Sequence, residues 1–217
     1  MALHQLKYPY RKFIGPVVKK LTFINPDFIS ALAFIVALLT GIFFYLGNAC
    51  PSLFLWIILL IVARMTLNTM DGVLAIERGE DYKVHGKMVN ALPDRYSDLF
   101  VLSGIVLSPI CRDYIGLLGL CTVVLVSYSG MLGKALGVSW QGHGPLDKVE
   151  RLFLYIILGF VQWWGYHTGN PYVNIGNCSF SYLELCMILF FILGQITVIR
   201  RVLGMKKEVD ENPDMEW

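Results

Sequence analysis

Three carboxylates and one carboxamide are spaced so that they can converge on one site. Arg64, Asn68 and Asp71 stand at offsets of 0, 4 and 7, which places them on one face of a helix. Asp94 and Asp98 are four residues apart and share a face of the next predicted helix. Because carboxylate and amide oxygens are the ligands that hard divalent ions prefer, the set predicts Mg²⁺ or Mn²⁺ rather than zinc.

Small residues stand beside these acids. Gly72 follows Asp71, and Ala75 lies one turn further along the same face, which leaves room for a ligand near the backbone. The alternative interpretation is plainer: the acids end their helices, extend to water and hold no metal.

The chain that must position these residues is strongly apolar. Of 217 residues, 56% are hydrophobic and 16% charged, whereas soluble domains carry about a quarter charged residues. Apolar blocks long enough to cross a bilayer core of about 30 Å predict an all-α integral membrane protein. We predict six transmembrane helices, at Phe28 to Gly47, Ser52 to Ala75, Asp94 to Ile110, Ile115 to Gly137, Leu152 to Tyr166 and Tyr182 to Leu203.

Basic residues orient the six predicted spans. All of the 18 lysines and arginines except Arg64 and Arg112 fall on one side of this topology. The positive-inside rule therefore places both termini in the cytoplasm. The compact size favours a bacterial inner membrane, with the endoplasmic reticulum as the second choice.

Residues 1–27 form a segment of their own. Apolar residues recur there at spacings of three and four between lysines and arginines, which predicts an amphipathic helix lying on the membrane surface. The six-helix membrane domain is predicted over residues 28–203, and residues 204–217 form a cytoplasmic tail.

A second group of charged residues opens the fifth span. Lys148 and Arg151 are three apart on one helical face, where they can hold an acceptor phosphate or a lipid phosphate. Ordinary positive-inside anchoring explains the pair equally well. His143 nearby is better interpreted as a solvated loop residue. Among the five cysteines, Cys50, Cys111 and Cys178 fall in or beside the outer loops, and both a disulfide and unpaired thiols stay open.

The residues from 68 to 98 resemble the signature of the CDP-alcohol phosphotransferases, Asp-x2-Asp-Gly-x2-Ala-Arg-x8-9-Gly-x3-Asp-x3-Asp. The resemblance covers essentially the whole chain, from the amphipathic segment through six helices. The residues that match in order are Asp71, Gly72, Ala75, Asp94 and Asp98.

Three positions depart from that signature. Asn68 stands where the first Asp belongs, Ile76 where the Arg belongs and Asn90 where the second Gly belongs. Asn68 still offers one neutral oxygen, so a change in metal affinity or ion preference is expected. Ile76 removes a cation that is expected at the diphosphate.

The resemblance implies a mechanism and a set of roles. Two ions, Mg²⁺ or Mn²⁺, would bind the diphosphate of a CDP-lipid, and an alcohol acceptor would displace CMP. Asp98 would be the general base. The remaining implied roles are metal ligands at Asn68, Asp71, Asp94 and Asp98, a nucleotide pocket at Ser30, Gly72, Ala75 and Asn90, and acceptor or phosphate binding at Lys148 and Arg151.

Two rival functions remain at this point. The departures at 68, 76 and 90 motivate a non-catalytic relative that binds CDP-lipid or cations, and buried acids also suit a small transporter. The acids cluster at one rim instead of crossing the membrane, which weakens the transporter. The motif leaves the acceptor alcohol open. Members of the family are often dimers, so a homodimer is also left open; membrane lipids are expected partners and nucleic acid is not.

Overall fold

The computed structural model of the chain describes residues 26–77, 84–139 and 144–212. The predicted interfacial segment 1–27, apart from its last two residues, lies outside them, as do His143 and the end of the tail. The described residues form six α-helices and one β-hairpin. In chain order they are α1 (Pro26–Leu46), α2 (Leu53–Glu77), α3 (Val84–Val106), α4 (Asp113–Ala135), α5 (Lys148–His167), β1 (Tyr172–Ile175), β2 (Cys178–Ser181) and α6 (Tyr182–Glu211).

Each predicted span corresponds to one of these helices, but three helices are clearly longer than the spans. Helix α5 begins at Lys148 rather than Leu152. Helix α3 begins at Val84 rather than Asp94 and runs through Pro93. Helix α6 continues to Glu211, past the predicted end at Leu203. Hydropathy marks only the apolar part of a helix, so the polar turns that extend beyond it were missed.

Four of the helices are long and apolar enough to cross a membrane. They are Asp27–Leu46, Leu53–Leu74, Asp113–Ala135 and Tyr182–Glu211. Helices α3 and α5 do not belong to this group. Helix α3 carries charged residues in its middle, and α5 carries three in its first turn. The described part of the chain therefore supports a helical membrane protein with four clear spans, and the count of six is not confirmed.

Large apolar side chains stand exposed on the outside of the bundle. Ile35 of α1, Leu59 of α2, Leu117 of α4 and Ile199 of α6 are each about half exposed or more. A contiguous apolar exterior of this kind is unfavourable in water but suits contact with lipid tails. The exterior thus agrees with a membrane location.

The helices pack around α1 and α2 on one side and α4 and α6 on the other. Helix α1 contacts α2 and α3, α2 also contacts α5, and α4 packs along α6. The backbones of α1 and α3 approach so closely that a Cβ added to Gly104 would overlap the carbonyl group of Gly41. Small residues at such crossings allow close packing where no hydrophobic force drives helices together in lipid.

A buried group of aromatic rings fills the middle of the bundle. Phe44, Phe54, Tyr155 and Phe190 come from α1, α2, α5 and α6, and all four are fully buried. Their rings meet at tilted or edge-to-face angles, as between Tyr155 and Phe190 at 5.5 Å. This aromatic core connects the four helices.

The hairpin between α5 and α6 was not predicted. Its strands are antiparallel, and Gly176 in the two-residue loop has a φ of 60°, a conformation that suits glycine. Ser181 then caps α6: its Oγ accepts from the Glu184 amide at 3.1 Å, while the Glu184 carboxylate accepts from the Ser181 amide. Arg112 donates to the same carboxylate at 2.6 Å, and this hydrogen bond raises the pKa of Arg112.

The cysteines are all unpaired. All five lie within the described residues, and none forms a disulfide. Of the two alternatives left open for Cys50, Cys111 and Cys178, the structure has the free thiols.

Candidate functional site

The motif residues of α2 and α3 meet basic residues of α5 at one end of the bundle. The contributing side chains come from the middle and last turns of α2, the middle of α3, and the first turns of α1 and α5. The side chains that join directly by hydrogen bonds or ion pairs are here called the polar cluster. It consists of Ser30, Arg64, Asn68, Asp71, Asp94, Asp98, Lys148 and Arg151.

Asp98 lies between two buried arginines. Its Oδ1 accepts from Arg64 Nη2 at 3.1 Å, and its Oδ2 accepts from Arg151 Nη2 at 2.7 Å. Arg64, Arg151 and Asp98 are at most 5% exposed. Charge-assisted bonds of this type are strong in a site that excludes water. Both oxygens of the predicted general base are therefore already occupied.

Asp94 is the more accessible acid of α3. Lys148 Nζ donates to its Oδ2 at 2.6 Å, and the Asn68 carboxamide nitrogen approaches its Oδ1 at 3.4 Å. The side chains of Asp94 and Lys148 are each about a quarter exposed. Asp94 thus links the motif helices to the beginning of α5.

Asp71 faces the same space from α2. Ser30 Oγ of α1 donates to Asp71 Oδ2 at 3.0 Å, and Asp94 and Lys148 are near enough to interact electrostatically with the carboxylate. Beside it, a Cβ added to Gly72 would meet nothing within 4 Å. Open space therefore lies beside Gly72, and the ligand-binding role of this residue stays a prediction.

Two predicted nucleotide-pocket residues cannot be placed in the site. Ala75 belongs to α2 and Asn90 to α3, but their side chains lie outside the described residues, as does that of Ile76. Their roles, and those assigned to the other predicted site residues, stay predictions.

A third arginine lies beside the cluster and was not predicted as a site residue. Arg201 of α6 is 2% exposed; its Nη2 donates to Asp147 Oδ1 at 3.3 Å, and its Nη1 to the Val126 carbonyl at 2.6 Å. It is near enough to Arg151 for the two cations to repel each other. The sequence signal was a basic residue near the end of a span, which we used only to orient the spans.

The arginines retain unused hydrogen-bonding capacity. Within the described part of the chain, Arg64 Nε and Nη1, Arg151 Nε and the Tyr155 hydroxyl are buried and have no hydrogen-bond partner. Buried N–H groups are seldom left unsatisfied, so a bound polar group or water is expected beside them.

The charges of the polar cluster balance without any added ion. Arg64, Lys148 and Arg151 oppose Asp71, Asp94 and Asp98. Among the described residues, no group of three or more His, Cys, Asp or Glu side chains is arranged to hold a metal. Asp71 and Asp94 still suit one hard cation, because Asp94 is partly exposed and its partners are a partly exposed lysine and a long 3.4 Å carboxamide contact. Asp98 suits a second ion less well, since both of its oxygens accept from fully buried arginines.

Curated relatives extend over most or all of the chain, although no protein-family model matches it. An archaetidylinositol phosphate synthase of Pyrococcus horikoshii is 28% identical over 206 residues, which cover 95% of each protein. The archaetidylinositol phosphate synthase of Methanothermobacter thermautotrophicus is 26% identical over 201 residues, 93% of this chain and 92% of the relative. The Escherichia coli inner membrane protein YnbA is 26% identical over 170 residues, 75% of this chain and 84% of the relative.

The fold is shared with a solved membrane enzyme. The Mycobacterium tuberculosis phosphatidylinositol phosphate synthase PgsA1 with CDP-DAG bound superposes with a TM-score of 0.69 at 20% identity, over 89% of this chain and 94% of that one. The same enzyme with manganese and citrate gives 0.66, also at 20% identity, over 92% and 88%. The chain is similar to CDP-alcohol phosphotransferases. The resemblance predicted from the motif is thus confirmed, and the three motif acids, Asp71, Asp94 and Asp98, belong to the polar cluster.

Proposed function

We propose that this membrane protein transfers a phosphatidyl-type group from a CDP-linked lipid such as CDP-diacylglycerol to the hydroxyl of an alcohol, releasing CMP, in phospholipid biosynthesis. The observation that carries the proposal is the polar cluster, in which motif acids of α2 and α3 meet the basic beginning of α5. Named relatives that cover nearly the whole chain are synthases of phosphorylated lipids. The fold neighbour contains CDP-DAG.

The donor side of the site consists of α1, α2 and α3 residues. Asp71 and Asp94 would hold a divalent ion, Mg²⁺ or Mn²⁺, which neutralises diphosphate charge when bound. Manganese in the complex of the fold neighbour supports this choice. Ser30 fixes the Asp71 carboxylate, and Gly72 opens the space in which the nucleotide would lie, with Ala75 and Asn90 as its further walls.

The acceptor side consists of basic residues, and we propose that the acceptor carries a phosphate. Lys148, Arg151 and Arg201 would bind this phosphate, because guanidinium and ammonium groups are the usual partners of phosphate oxygens. The names of two relatives point to an inositol phosphate, so a phosphorylated polyol is the proposed acceptor class. Asp147, which contacts Arg201, would hold that arginine until the acceptor arrives.

The reaction needs one proton transfer and one displacement. The acceptor hydroxyl oxygen attacks the lipid-side phosphorus of the diphosphate, the bond from that phosphorus to the CMP oxygen breaks, and the hydroxyl proton passes to Asp98. Arg151 would turn from Asp98 to the acceptor phosphate as the acceptor binds. This movement would free Asp98 Oδ2 for the proton, while Arg64 keeps the carboxylate in place through Oδ1.

The membrane arrangement follows from the same proposal. All six helices would cross the bilayer, with both termini and the polar cluster at the cytoplasmic face, where soluble acceptors and CMP are found. The similarity to an inner membrane protein supports a bacterial inner membrane. A homodimer stays a prediction.

The test is CMP release by the purified protein in lipid nanodiscs. The assay would supply CDP-diacylglycerol, Mg²⁺ or Mn²⁺, and inositol phosphate, glycerol phosphate, serine or inositol as acceptors. Acceptor-dependent CMP that disappears in Asp98→Asn and persists in Arg200→Gln would support the proposal. Arg200 is an exposed arginine next to the site residue Arg201 and serves as the matched control.

One observation favours a second function, binding without turnover. Asp98 is fully paired, and Asn68 and Ile76 depart from the family signature. A protein of this kind would bind the CDP-lipid but release no CMP with any acceptor. Calorimetric titration with the CDP-lipid, beside the CMP assay, separates the two functions.

A further inference from the structure

Two contacts in the polar cluster place protein N–H groups against two of the predicted metal ligands. The first joins Asn68 to Asp94, and the second joins Arg64 to Asp98. Each pairs a residue of α2 with an acid of α3. The two contacts therefore hold the motif helices together without a bound metal.

The Asn68 contact depends on a carboxamide. Its nitrogen lies 3.4 Å from Asp94 Oδ1, at the long end of hydrogen-bond distances. A carboxylate at position 68 would repel Asp94 at this separation and would need a cation between them. Because the Asn68 carboxamide carries no charge, its contact with Asp94 needs no cation between the two side chains.

The Arg64 contact supplies a positive charge from the protein itself. Arg64 is 0% exposed and donates to Asp98 at 3.1 Å, while Arg151 occupies the second oxygen. Removing Asp98 from such a pair to ligate a metal would leave a buried guanidinium without its counter-ion, which is strongly unfavourable. Asp98 therefore stays paired with Arg64.

We propose that this site binds one divalent ion, at Asp71 and Asp94, and that the Arg64 guanidinium takes the place of a second ion by neutralising Asp98. The proposal rests on the transferase function proposed above. It states how the site neutralises the negative charge of the CDP-lipid diphosphate. Arg64 is a positioning residue here, because it acts through Asp98.

The charge balance agrees with one ion. The cluster is neutral as it stands, with three cationic and three anionic side chains. One divalent ion then adds two positive charges, which match the two negative charges of a lipid-linked diphosphate. A second ion would have to bind beside two buried arginines.

The experiment counts Mn²⁺ ions on the purified protein in nanodiscs, by equilibrium dialysis and by electron paramagnetic resonance. The unmodified protein is expected to bind one Mn²⁺ and to show no coupled-pair spectrum. The double variant Arg64→Gln/Asn68→Asp is expected to bind two. Asn68→Asp alone is expected to lower the Mn²⁺ dissociation constant about tenfold, since it adds a carboxylate beside Asp94.

Matched controls use the same chemical changes elsewhere. Asn174→Asp lies on the exposed hairpin and Arg200→Gln on the exposed face of α6, and neither belongs to the polar cluster. Two ions or none on the unmodified protein would overturn the proposal, as would one ion on a folded double variant. If the double variant does not fold, an unchanged dissociation constant in Asn68→Asp overturns it instead.

CMP release distinguishes this inference from the proposed function. Two Mn²⁺ ions together with acceptor-dependent CMP would refute the one-ion site and keep the transferase. One Mn²⁺ without CMP from any acceptor would keep the one-ion site and refute the transferase.

Discussion

Arg64 and Asp98 form a buried ion pair between α2 and α3, with 3.1 Å between Nη2 and Oδ1. The pair connects the helix that carries the first half of the motif to the helix that carries the second. Because Arg151 of α5 binds the other oxygen of Asp98, three helices meet at this one carboxylate. Asp98 therefore has a structural role in addition to the proposed chemical one.

Replacing Asp98 with Asn should reduce both activity and stability. Loss of the proposed proton acceptor is expected to lower kcat by about 100-fold or more. Leaving two buried arginines without their counter-ion should lower the free energy of unfolding by about 3 kcal/mol. CMP kinetics and thermal unfolding in nanodiscs measure the two effects. Asp210→Asn, at an exposed position of α6, is the control, and normal turnover in folded Asp98→Asn would disprove the base assignment.

Replacing Lys148 with Gln should affect the acceptor selectively. One charged contact to a phosphate contributes about 1.5 kcal/mol at a partly exposed position, so the KM for a phosphorylated acceptor should rise about tenfold. The KM for CDP-diacylglycerol should change less. Steady-state kinetics with each substrate varied in turn separates these effects. An equal rise in both KM values would remove Lys148 from the acceptor side, and Lys206→Gln is the exposed control.

Two glycines should respond in opposite ways to alanine. Gly104→Ala should destabilise the fold by about 1–3 kcal/mol, because its Cβ would overlap the Gly41 carbonyl group between α1 and α3. Gly72→Ala meets open space and should leave the unfolding temperature unchanged or slightly higher. It should instead weaken CDP-lipid binding. Thermal unfolding and lipid titration of both variants provide the comparison; equal destabilisation would contradict the packing.

Removing the cap of α6 should affect stability without affecting the site. Ser181→Ala loses the hydrogen bond to the Glu184 amide, which costs about 1 kcal/mol. Ser181→Thr keeps a hydroxyl at the cap and should recover most of it. Thermal unfolding measures the change, and KM values for both substrates should stay constant. A changed KM in Ser181→Ala would show that the hairpin is coupled to the polar cluster.

The sequence predicted the helices well, because a long apolar segment in lipid must satisfy its own backbone hydrogen bonds and therefore forms a helix. It missed the hairpin because strands of four residues carry little periodicity. Ser181 and Glu184 did offer a signal, as Ser-x-x-Glu before an apolar run is typical of a capping box. The early start of α3 was missed for a different reason, since polar helical turns leave no hydropathy signal.

The site was predicted from spacing along the chain, and the motif residues on α2 and α3 do meet. The spacing of residues along the sequence could not predict which side chain each charged residue pairs with. Arg64 and Asp98 are 34 positions apart, and their pairing depends on how α2 crosses α3. Arg201 was overlooked because a basic residue near the end of a span is usually an anchor.

Acceptor-dependent CMP release from CDP-diacylglycerol by the purified protein decides whether it is a transferase. We expect CMP formation that requires a divalent ion and a phosphorylated alcohol, disappears in Asp98→Asn and persists in Arg200→Gln. No CMP from any acceptor, with metal-dependent CDP-lipid binding intact, would contradict the transferase and leave a binding protein.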